Sequence, residues 1–228
     1  MRSLSIILPT LNEGAQIAEA LRAAQAAAPG AELIVADGGS ADDTATLAAP
    51  YARVIQARRG RARQMNAGAA VATGEVLLFL HADTRLPAGT PAAIDAALRD
   101  RRVISGGFAL RFDQPGPIYA AMAWSTSMRS RLARGFTGDQ AIFVRTAVFR
   151  ALGGYADIAL MEDIELCRRL RAAGQVRVLT PPVLVSARRH RKHGPVRVLV
   201  TGWYLQLLYK LGMPAFALHR LYYGRPPE

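Results

Sequence analysis

Residues 76–84 read VLLFLHADT, and this stretch indicates the fold. Five apolar side chains lead directly into His81, Ala82 and Asp83. A buried strand of a parallel sheet has this composition, because packed layers cover both of its faces. Open α/β sheets bind ligands beyond the carboxyl ends of their strands, so Asp83 is placed to hold a metal ion or a sugar hydroxyl. Taken alone, the stretch is equally compatible with a solvated acid that caps the next helix.

The composition indicates one globular domain. The chain has 228 residues, of which 51% are hydrophobic and 20% are charged, and a chain of this size can bury a sizeable core. Its one cysteine, Cys167, excludes an internal disulfide and favours a reducing compartment. The N-terminus is typical of a strand rather than of a signal peptide, and no segment has the roughly 18–20 apolar residues of a membrane span. We therefore expect a cytoplasmic protein.

Basic residues are concentrated in the second half of the chain. The formal net charge is +12, yet residues 1–100 carry 9 basic and 10 acidic side chains, whereas residues 101–228 carry 20 and 7. A basic half suggests anionic partners, which include nucleic acid, acidic lipid headgroups and phosphorylated substrates.

Strands and helices alternate along residues 1–110. Strands are predicted at 4–9, 32–36, 54–57 and 76–81, and helices at 13–28, 43–50, 61–72 and 91–100. This alternation predicts right-handed βαβ units and a parallel sheet. The second half is less regular, with strands predicted at 105–112, 141–145, 176–179 and 183–187, and helices at 117–134, 146–152, 162–173, 195–209 and 215–223.

Two loops at the predicted ligand edge carry polar side chains. Residues 9–13, PTLNE, lead into a helix whose N-terminus suits an anion or a nucleotide, although an ordinary turn capped by Asn12 explains them equally. Residues 37–40, DGGS, follow the second strand, and Asp37 can accept the N3–H of a uracil ring or hydrogen bonds within its own turn. The chain lacks the glycine motifs of Rossmann dinucleotide enzymes and of P-loop NTPases, which disfavours both classes.

Residues 60–68 read GRARQMNAG, and the helix predicted at 61–72 has two arginines in its first turn. Arg61 and Arg63 are directed to the same edge of the sheet, where they can meet phosphate oxygens. One aspartate, Asp83, together with a diphosphate forms a partial coordination set for Mg²⁺ or Mn²⁺. His81 is compatible with a metal ligand, a ribose contact or a structural histidine.

Residues 161–166, MEDIEL, place adjacent acids at a helix start. Acids in the first turn of a helix are often only partners of the helix dipole. Here the apolar loop 157–161 leads into Glu162 and Asp163. A carboxylate desolvated by such a loop is held near the pKa that a general base needs.

In order, the segments PTLNE, ADGGSADDT, GRARQMNAGAAVATGEVLLFLHADT, GDQAIFVR, LGGY and MEDIEL resemble the family 2 glycosyltransferases with the GT-A fold, over roughly residues 4–174. The resemblance implies an α/β fold whose mostly parallel, Rossmann-like sheet is flanked by helices. It also implies an inverting, hexosyltransferase-like enzyme that uses a divalent metal, Mg²⁺ or Mn²⁺. The implied donor is a nucleotide-diphospho-sugar, with UDP favoured by Asp37, and the acceptor is a small-molecule or lipid-linked hydroxyl compound.

The same resemblance implies roles for individual residues. Asp163 matches the acid of the family's Glu-Asp pair and is the implied catalytic base, and Asp83 is the implied metal ligand. The implied nucleotide-sugar contacts are Pro9, Thr10, Glu13, Asp37, Arg63, His81 and Ala82. The implied acceptor-side residues are Gly138, Asp139, Gln140 and Glu162. A single domain over 1–228 would then comprise a nucleotide-sugar half (1–110), an acceptor and base half (111–194) and a helical extension (195–228).

Two departures from the family pattern matter. His81 replaces the first acid of the family's Asp-x-Asp, which leaves the usual ribose contact open. Processive members carry Gln-x-x-Arg-Trp after the base helix, whereas residues 186–190 here read SARRH, which argues against polymer synthesis. The whole chain is most similar to a short bacterial subgroup described as arsenosugar-biosynthesis glycosyltransferases.

The basic second half supports alternatives to this interpretation. Cations at 129, 131, 134 and 188–192 would hold the protein on anionic lipid at the inner face of the cytoplasmic membrane, with Trp203, Tyr204 and Tyr209 in the interface. A solvated basic face is the simpler alternative. A nucleic-acid-binding module is not expected, because aromatics are not interleaved with the basic clusters. A sugar-phosphate nucleotidyltransferase would need a glycine-rich, lysine-bearing loop after the first strand, and the chain has none.

Overall fold

The computed structural model describes residues 1–224, in which an eight-stranded sheet is flanked by helices. The strands are β1 (Leu4–Thr10), β2 (Glu32–Asp37), β3 (Arg53–Gln56), β4 (Val76–Phe79), β5 (Thr84–Arg85), β6 (Val103–Phe112), β7 (Phe143–Arg145) and β8 (Gln175–Val185). The helices are α1 (Ile17–Ala27), α2 (Thr44–Ala48), α3 (Arg61–Val71), α4 (Thr90–Ala97), α5 (Pro117–Ala133), α6 (Thr146–Ala151), α7 (Glu162–Ala173), α8 (Arg188–His193), α9 (Pro195–Lys210) and α10 (Ala215–Tyr223). A 3₁₀ turn at Gly138–Gln140 precedes β7.

The sheet has the strand order β3-β2-β1-β4-β7-β6-β8-β5. Strands β1 to β4 pair in parallel, as their alternation with helices predicts. Strand β6 pairs in parallel with β8, whereas β7 runs antiparallel to β4 and β6, and β5 runs antiparallel to β8. The expectation of a mostly parallel sheet is therefore confirmed. The reversal of β7 arises because the 3₁₀ turn at the carboxyl edge leads directly into β7, with no helix to return the chain to the opposite edge.

The core lies on both faces of the sheet. Alternate residues of a strand point to opposite faces, so Ile6 and Leu8 of β1 join one buried cluster while Ile7 joins the other. Strand β4 does the same through Leu78 on one face and Leu77 on the other. Both faces are covered, which explains why the central strands are continuously apolar.

Helix α1 begins later than predicted. The structure starts it at Ile17 rather than at residue 13. The backbone N–H groups of Asn12, Glu13 and Gly14 donate to side chains of the loop after β2. These groups are therefore already paired, and a turn closed by hydrogen bonds to the Glu13 carbonyl precedes the helix.

The region after α7 also differs from the prediction. The two strands predicted at 176–179 and 183–187 form one strand, β8, whose register with β6 shifts across residues 180–182. The shift accommodates Pro181 and Pro182, because proline cannot donate to the hydrogen-bond ladder. Helix α8 was not predicted, since its sequence, RRHRKH, has no apolar periodicity.

The last two helices pack over the loop that precedes α7. Leu205 of α9 and Leu218 of α10 are buried in one cluster with Met161. Through this cluster, α9 and α10 cover the carboxyl edge of the sheet from one side.

Within residues 1–224, no helix combines the length and the apolar character needed to cross a bilayer.

Candidate active site

A cavity of about 420 Å³ opens at the carboxyl ends of β1 and β4. Parallel strands end together at this edge, which brings distant segments of the chain to one place. The lining includes Pro9, Thr10 and Glu13 after β1, Arg61 at the start of α3, His81, Ala82 and Asp83 after β4, and His219 and Tyr223 of α10. Seven of these lining residues, from Pro9 to Asp83, were predicted for this edge from the sequence, whereas the wall that α10 supplies was not.

A second cavity, of about 280 Å³, adjoins the first. The two cavities share Arg61, His81 and Asp83 as wall residues. The second is also lined by Gly138, Asp139, Asp163 and His190, and by side chains of α5 and α9. Asp83 therefore stands where the two cavities meet.

The main chain holds Asp83 between two strands. Its carbonyl accepts a hydrogen bond from the Ser186 N–H at 2.9 Å, and the next residue, Thr84, pairs with Val185 of β8. The Thr84 hydroxyl donates to the Asp83 carboxylate at 3.4 Å. This arrangement fixes the position of the carboxylate while leaving it on the cavity wall.

Asp163 lies in the first turn of α7. Its carboxylate accepts hydrogen bonds from the Gly138 N–H at 2.8 Å and from the Ile164 N–H at 2.7 Å. Burial and the neighbouring carboxylate of Glu162 raise the pKa of Asp163 to about 6, although the two N–H donors favour the charged form. A carboxylate with this pKa is suited to accept a proton near neutral pH.

Two arginines at the start of α3 point to different partners. Arg61 lies 3.7 Å from the buried carboxylate of Glu162 and lines both cavities. Arg63 instead forms an ion pair with Asp157 at 2.8 Å and does not line either cavity. Arg61 and Arg63 occupy different faces of α3, because side chains two residues apart on a helix do not point the same way. The donor contact of Arg63 stays a prediction.

Histidines and an unpaired acid surround the second cavity. The His81 ring packs against Gly138, where an added Cβ would lie 2.7 Å from ring atoms. Burial and Arg61 lower the pKa of His81, which favours the neutral ring. In the described part of the chain, buried side-chain atoms without a hydrogen-bond partner are Asp139 Oδ1 and His190 Nδ1. Both unpaired atoms belong to residues of this cavity.

Asp37 lies at the carboxyl end of β2 but does not line either cavity. Its carboxylate accepts hydrogen bonds from the N–H groups of Gly39 and Ser40 and from the hydroxyls of Ser40 and Thr10. The carboxylate thus closes its own turn, and its uracil contact stays a prediction. The backbone N–H groups of Asn12 and Glu13 are paired as well, which favours the alternative of an ordinary turn for this segment. The nucleotide contacts predicted for Pro9, Thr10 and Glu13 stay predictions.

Gln140 organises the acceptor-side turn rather than lining the cavity. It is fully buried, donates to the Phe108 carbonyl, and accepts from the Ser130 hydroxyl and the Thr137 N–H. This network positions Gly138, whose N–H reaches Asp163. Among the four residues predicted on the acceptor side, Gly138 and Asp139 line the second cavity, while Glu162 lines the first.

Comparison with known proteins places the chain in a family. The family described as "Glycosyl transferase family 2" matches residues 5–154. The chain belongs to this family. An uncharacterized glycosyltransferase of Mycobacterium tuberculosis is 30% identical over 183 residues, which span 75% of this chain and 80% of the relative. A protein of Mycobacterium bovis with the same description matches equally.

Solved glycosyltransferases share the fold of this family 2 glycosyltransferase. Mannosyltransferase PcManGT from Pyrobaculum calidifontis, in complex with GDP-Man and Mn²⁺, superposes with a TM-score of 0.68 at 23% identity, over 92% of this chain and 64% of that one. TarS of S. aureus, in complex with UDP-GlcNAc, superposes with a TM-score of 0.65 at 19% identity, over 82% of this chain and 59% of that one. The chain therefore spans about 60% of these two neighbours. The GT-A fold and the family membership predicted from sequence are confirmed.

Several wall residues of this glycosyltransferase were missed at the sequence level. His219 and Tyr223 reach the first cavity from α10, and His190 reaches the second from α8. Gln64 was also missed; its amide donates to the carbonyls of Thr10 and Ala36 and ties the ends of β1 and β2 together. No local pattern marks these positions, because each depends on how helices dock at the carboxyl edge.

Proposed function

We propose that this chain transfers a hexose from a nucleotide-diphospho-sugar to a hydroxyl acceptor with inversion at the anomeric carbon. The observation that carries the proposal is the meeting of the two cavities at Asp83, with Asp163 in the second cavity. One cavity then holds the donor and the other the acceptor, and the sugar passes between them. Two neighbours of the same fold, solved in complex with GDP-Man and with UDP-GlcNAc, support this assignment.

The proposed step is a single in-line displacement. The acceptor oxygen forms a bond to the anomeric carbon while the bond from that carbon to the diphosphate oxygen breaks. Asp163 takes the hydroxyl proton, since its raised pKa and its N–H donors hold a carboxylate ready to accept one. Arg61 stabilises the negative charge that develops on the leaving diphosphate.

A divalent metal fits the residues at the junction. Within residues 1–224, no three His, Cys, Asp or Glu side chains are gathered as a ready metal site. Donor phosphate oxygens would therefore complete the coordination, as Mg²⁺ and Mn²⁺ prefer. Asp83 would hold the ion, and the unpaired Nδ1 of His190 is a further candidate ligand. The bound ion would supply Lewis-acid stabilisation of the leaving group.

The donor is best identified by a release assay. We expect nucleotide diphosphate release from a UDP-sugar in a panel that also contains GDP-Man, with Mn²⁺ present and with EDTA as the control. Inversion is checked by NMR of the anomeric proton of the product. Absence of both turnover and metal-dependent nucleotide binding across the panel would overturn the proposal.

His190, the candidate second metal ligand, has a matched control on the same helix, His193. We expect His190→Ala to weaken metal-dependent UDP binding by about tenfold, because a nitrogen ligand is lost. His193→Ala should leave it unchanged, since His193 is exposed and lines neither cavity. Equal binding by both variants would remove His190 from the metal site.

A further inference from the structure

Helix α9 carries an apolar stripe on its solvent side. Val196, Val200, Trp203, Tyr204, Leu207 and Leu211 recur every three or four residues and are all exposed, from 47% for Trp203 to 75% for Leu211. We call these six residues the outer face. On the other side of α9, Leu205 is buried against Met161. A helix with apolar side chains on its exposed side as well as on its packed side has a second face that favours an apolar environment.

Neighbouring helices extend this exposed apolar surface. Phe216 and Leu221 of α10 are exposed, as are Trp124 and Leu132 of α5. Helix α5 adjoins α9 through a hydrogen bond from Arg129 to the Gln206 side chain at 2.8 Å. Exposed aromatic and aliphatic side chains therefore occur on three neighbouring helices, α5, α9 and α10.

The three helices that carry these exposed apolar side chains, α5, α9 and α10, have charged side chains of one sign only. The chain has no acidic residue between Glu165 and Glu228, and none between Asp113 and Asp139. Exposed cations lie on or beside the helices of this layer: Arg131, Arg134, Arg191, Lys192, Arg197, Lys210 and Arg220. Helices α5, α9 and α10 themselves contain cations and no acid, and exposed apolar side chains accompanied by cations match the chemistry of an anionic lipid surface.

We propose that the outer face docks on the surface of a bilayer that contains anionic lipids. Apolar side chains enter the interface while Arg197 and Lys210, near the two ends of α9, meet lipid phosphates. The helix has 16 residues and so lies on the bilayer rather than crossing it. Tyr209, which was expected in the interface, packs instead against the Met161 cluster.

Two other occupants fit this surface less well. A second copy of the chain would bring the same cations face to face across a two-fold axis, with no acid to pair with them. A nucleic acid would require cations across the contact surface, whereas the centre of the outer face is aliphatic and aromatic. The bilayer is the one occupant that satisfies both the apolar centre and the cationic border.

Vesicle flotation of the full chain tests the proposal, without any donor or acceptor present. We expect binding to phosphatidylcholine vesicles that contain phosphatidylglycerol, weaker binding at high salt, and little binding to phosphatidylcholine alone. Failure of the proposed transferase activity would not affect this result. No binding to anionic vesicles at low salt would overturn the proposal.

Paired variants separate the two contributions. Leu207→Gln with Leu211→Gln, and separately Arg197→Gln with Lys210→Gln, should each weaken vesicle binding by about tenfold or more. The controls are Leu47→Gln on α2 and Arg101→Gln at the opposite edge of the sheet, both exposed. Equal losses in the controls would overturn the proposal. So would a dimer in solution that the leucine variants dissociate, or single-stranded RNA binding that outcompetes the vesicles.

Discussion

Residues 4–85 and residues 138–223 build their shares of the site in different ways. The first region places Thr10 at the end of β1 and Asp83 in the short segment between β4 and β5, so their positions follow from strand order. The second region delivers Gly138, Asp163 and His190 from a turn and from the first turns of helices. Strand ends are local consequences of the sequence, whereas the second set depends on long-range docking.

The difference extends to electrostatics. On the strand side, the Asp37 carboxylate accepts hydrogen bonds from the N–H and O–H groups of its own turn. On the helix side, Asp163 receives only two N–H donors, and burial with Glu162 holds its pKa at about 6. An acid that is saturated by its loop is structural, whereas an acid that is desolvated and incompletely paired is available for chemistry.

The largest expected effect is on Asp163. Asp163→Asn should lower kcat by about 10²–10⁴-fold, because a positioned base is lost, while UDP binding with Mn²⁺ is retained. The pKa of Asp163 is raised to about 6 in the folded protein, so the charged carboxylate lowers the stability of the folded state at neutral pH. Asn carries no charge, and the thermal midpoint of the variant at neutral pH should therefore not fall. Asp100→Asn, at the opposite edge of the sheet, is the control. Near-normal transfer by Asp163→Asn would show that Asp163 is not the catalytic base.

Asp83 is expected to be next in magnitude. Asp83→Ala should lower the transfer rate by about 10²-fold or more, because the metal loses its protein ligand. Calorimetry of UDP binding with Mn²⁺ and with EDTA separates this from a general defect: wild-type affinity should depend on the metal, and that of the variant should not. A variant with unchanged metal dependence would show that the strand side does not hold the ion.

Arg61 and Arg63 form a matched pair on one helix. Arg61→Ala should raise the donor KM by about tenfold, since a charge-assisted phosphate contact is lost. Arg63→Ala should change KM by less than about twofold and stability by less than about 1 kcal/mol, because its pair with Asp157 is partly exposed. Steady-state kinetics with varied donor decides between them, and a larger effect at Arg63 would show that Arg63 rather than Arg61 contacts the donor phosphates.

The smallest expected effect is a shift in pH dependence. The deprotonated carboxylate is the base, so kcat/KM should fall as the pH drops through about 6. Glu162→Gln removes the neighbouring charge that raises this pKa, and the inflection should move to lower pH by less than about one unit. The pH profile of the variant checks the sign; an inflection that stays in place would mean that burial alone sets the pKa.

Sequence reasoning succeeded where a residue's position depends on nearby residues. The apolar run before His81 predicted a buried strand that ends at the ligand edge, and MEDIEL predicted a helix start with two acids; the structure has both. It left alternatives open where pairing depends on distant segments. The N–H groups of Asn12 and Glu13 were compatible with an open anion site or with an ordinary turn, and in the structure Ser40 and Thr44 accept from them.

The sequence by itself determined the family, the βαβ organisation of the first half and the two acids, Asp83 and Asp163, at the centre of the proposed chemistry. These follow from apolar periodicity and from short motifs, which act over a few residues. The tertiary structure decided that Arg61 rather than Arg63 lines the cavities, that β7 runs antiparallel, and that α9 leaves an apolar stripe exposed. Each of these depends on which face of an element packs against a distant partner, and side-chain burial, unlike strand or helix formation, is determined by the whole fold.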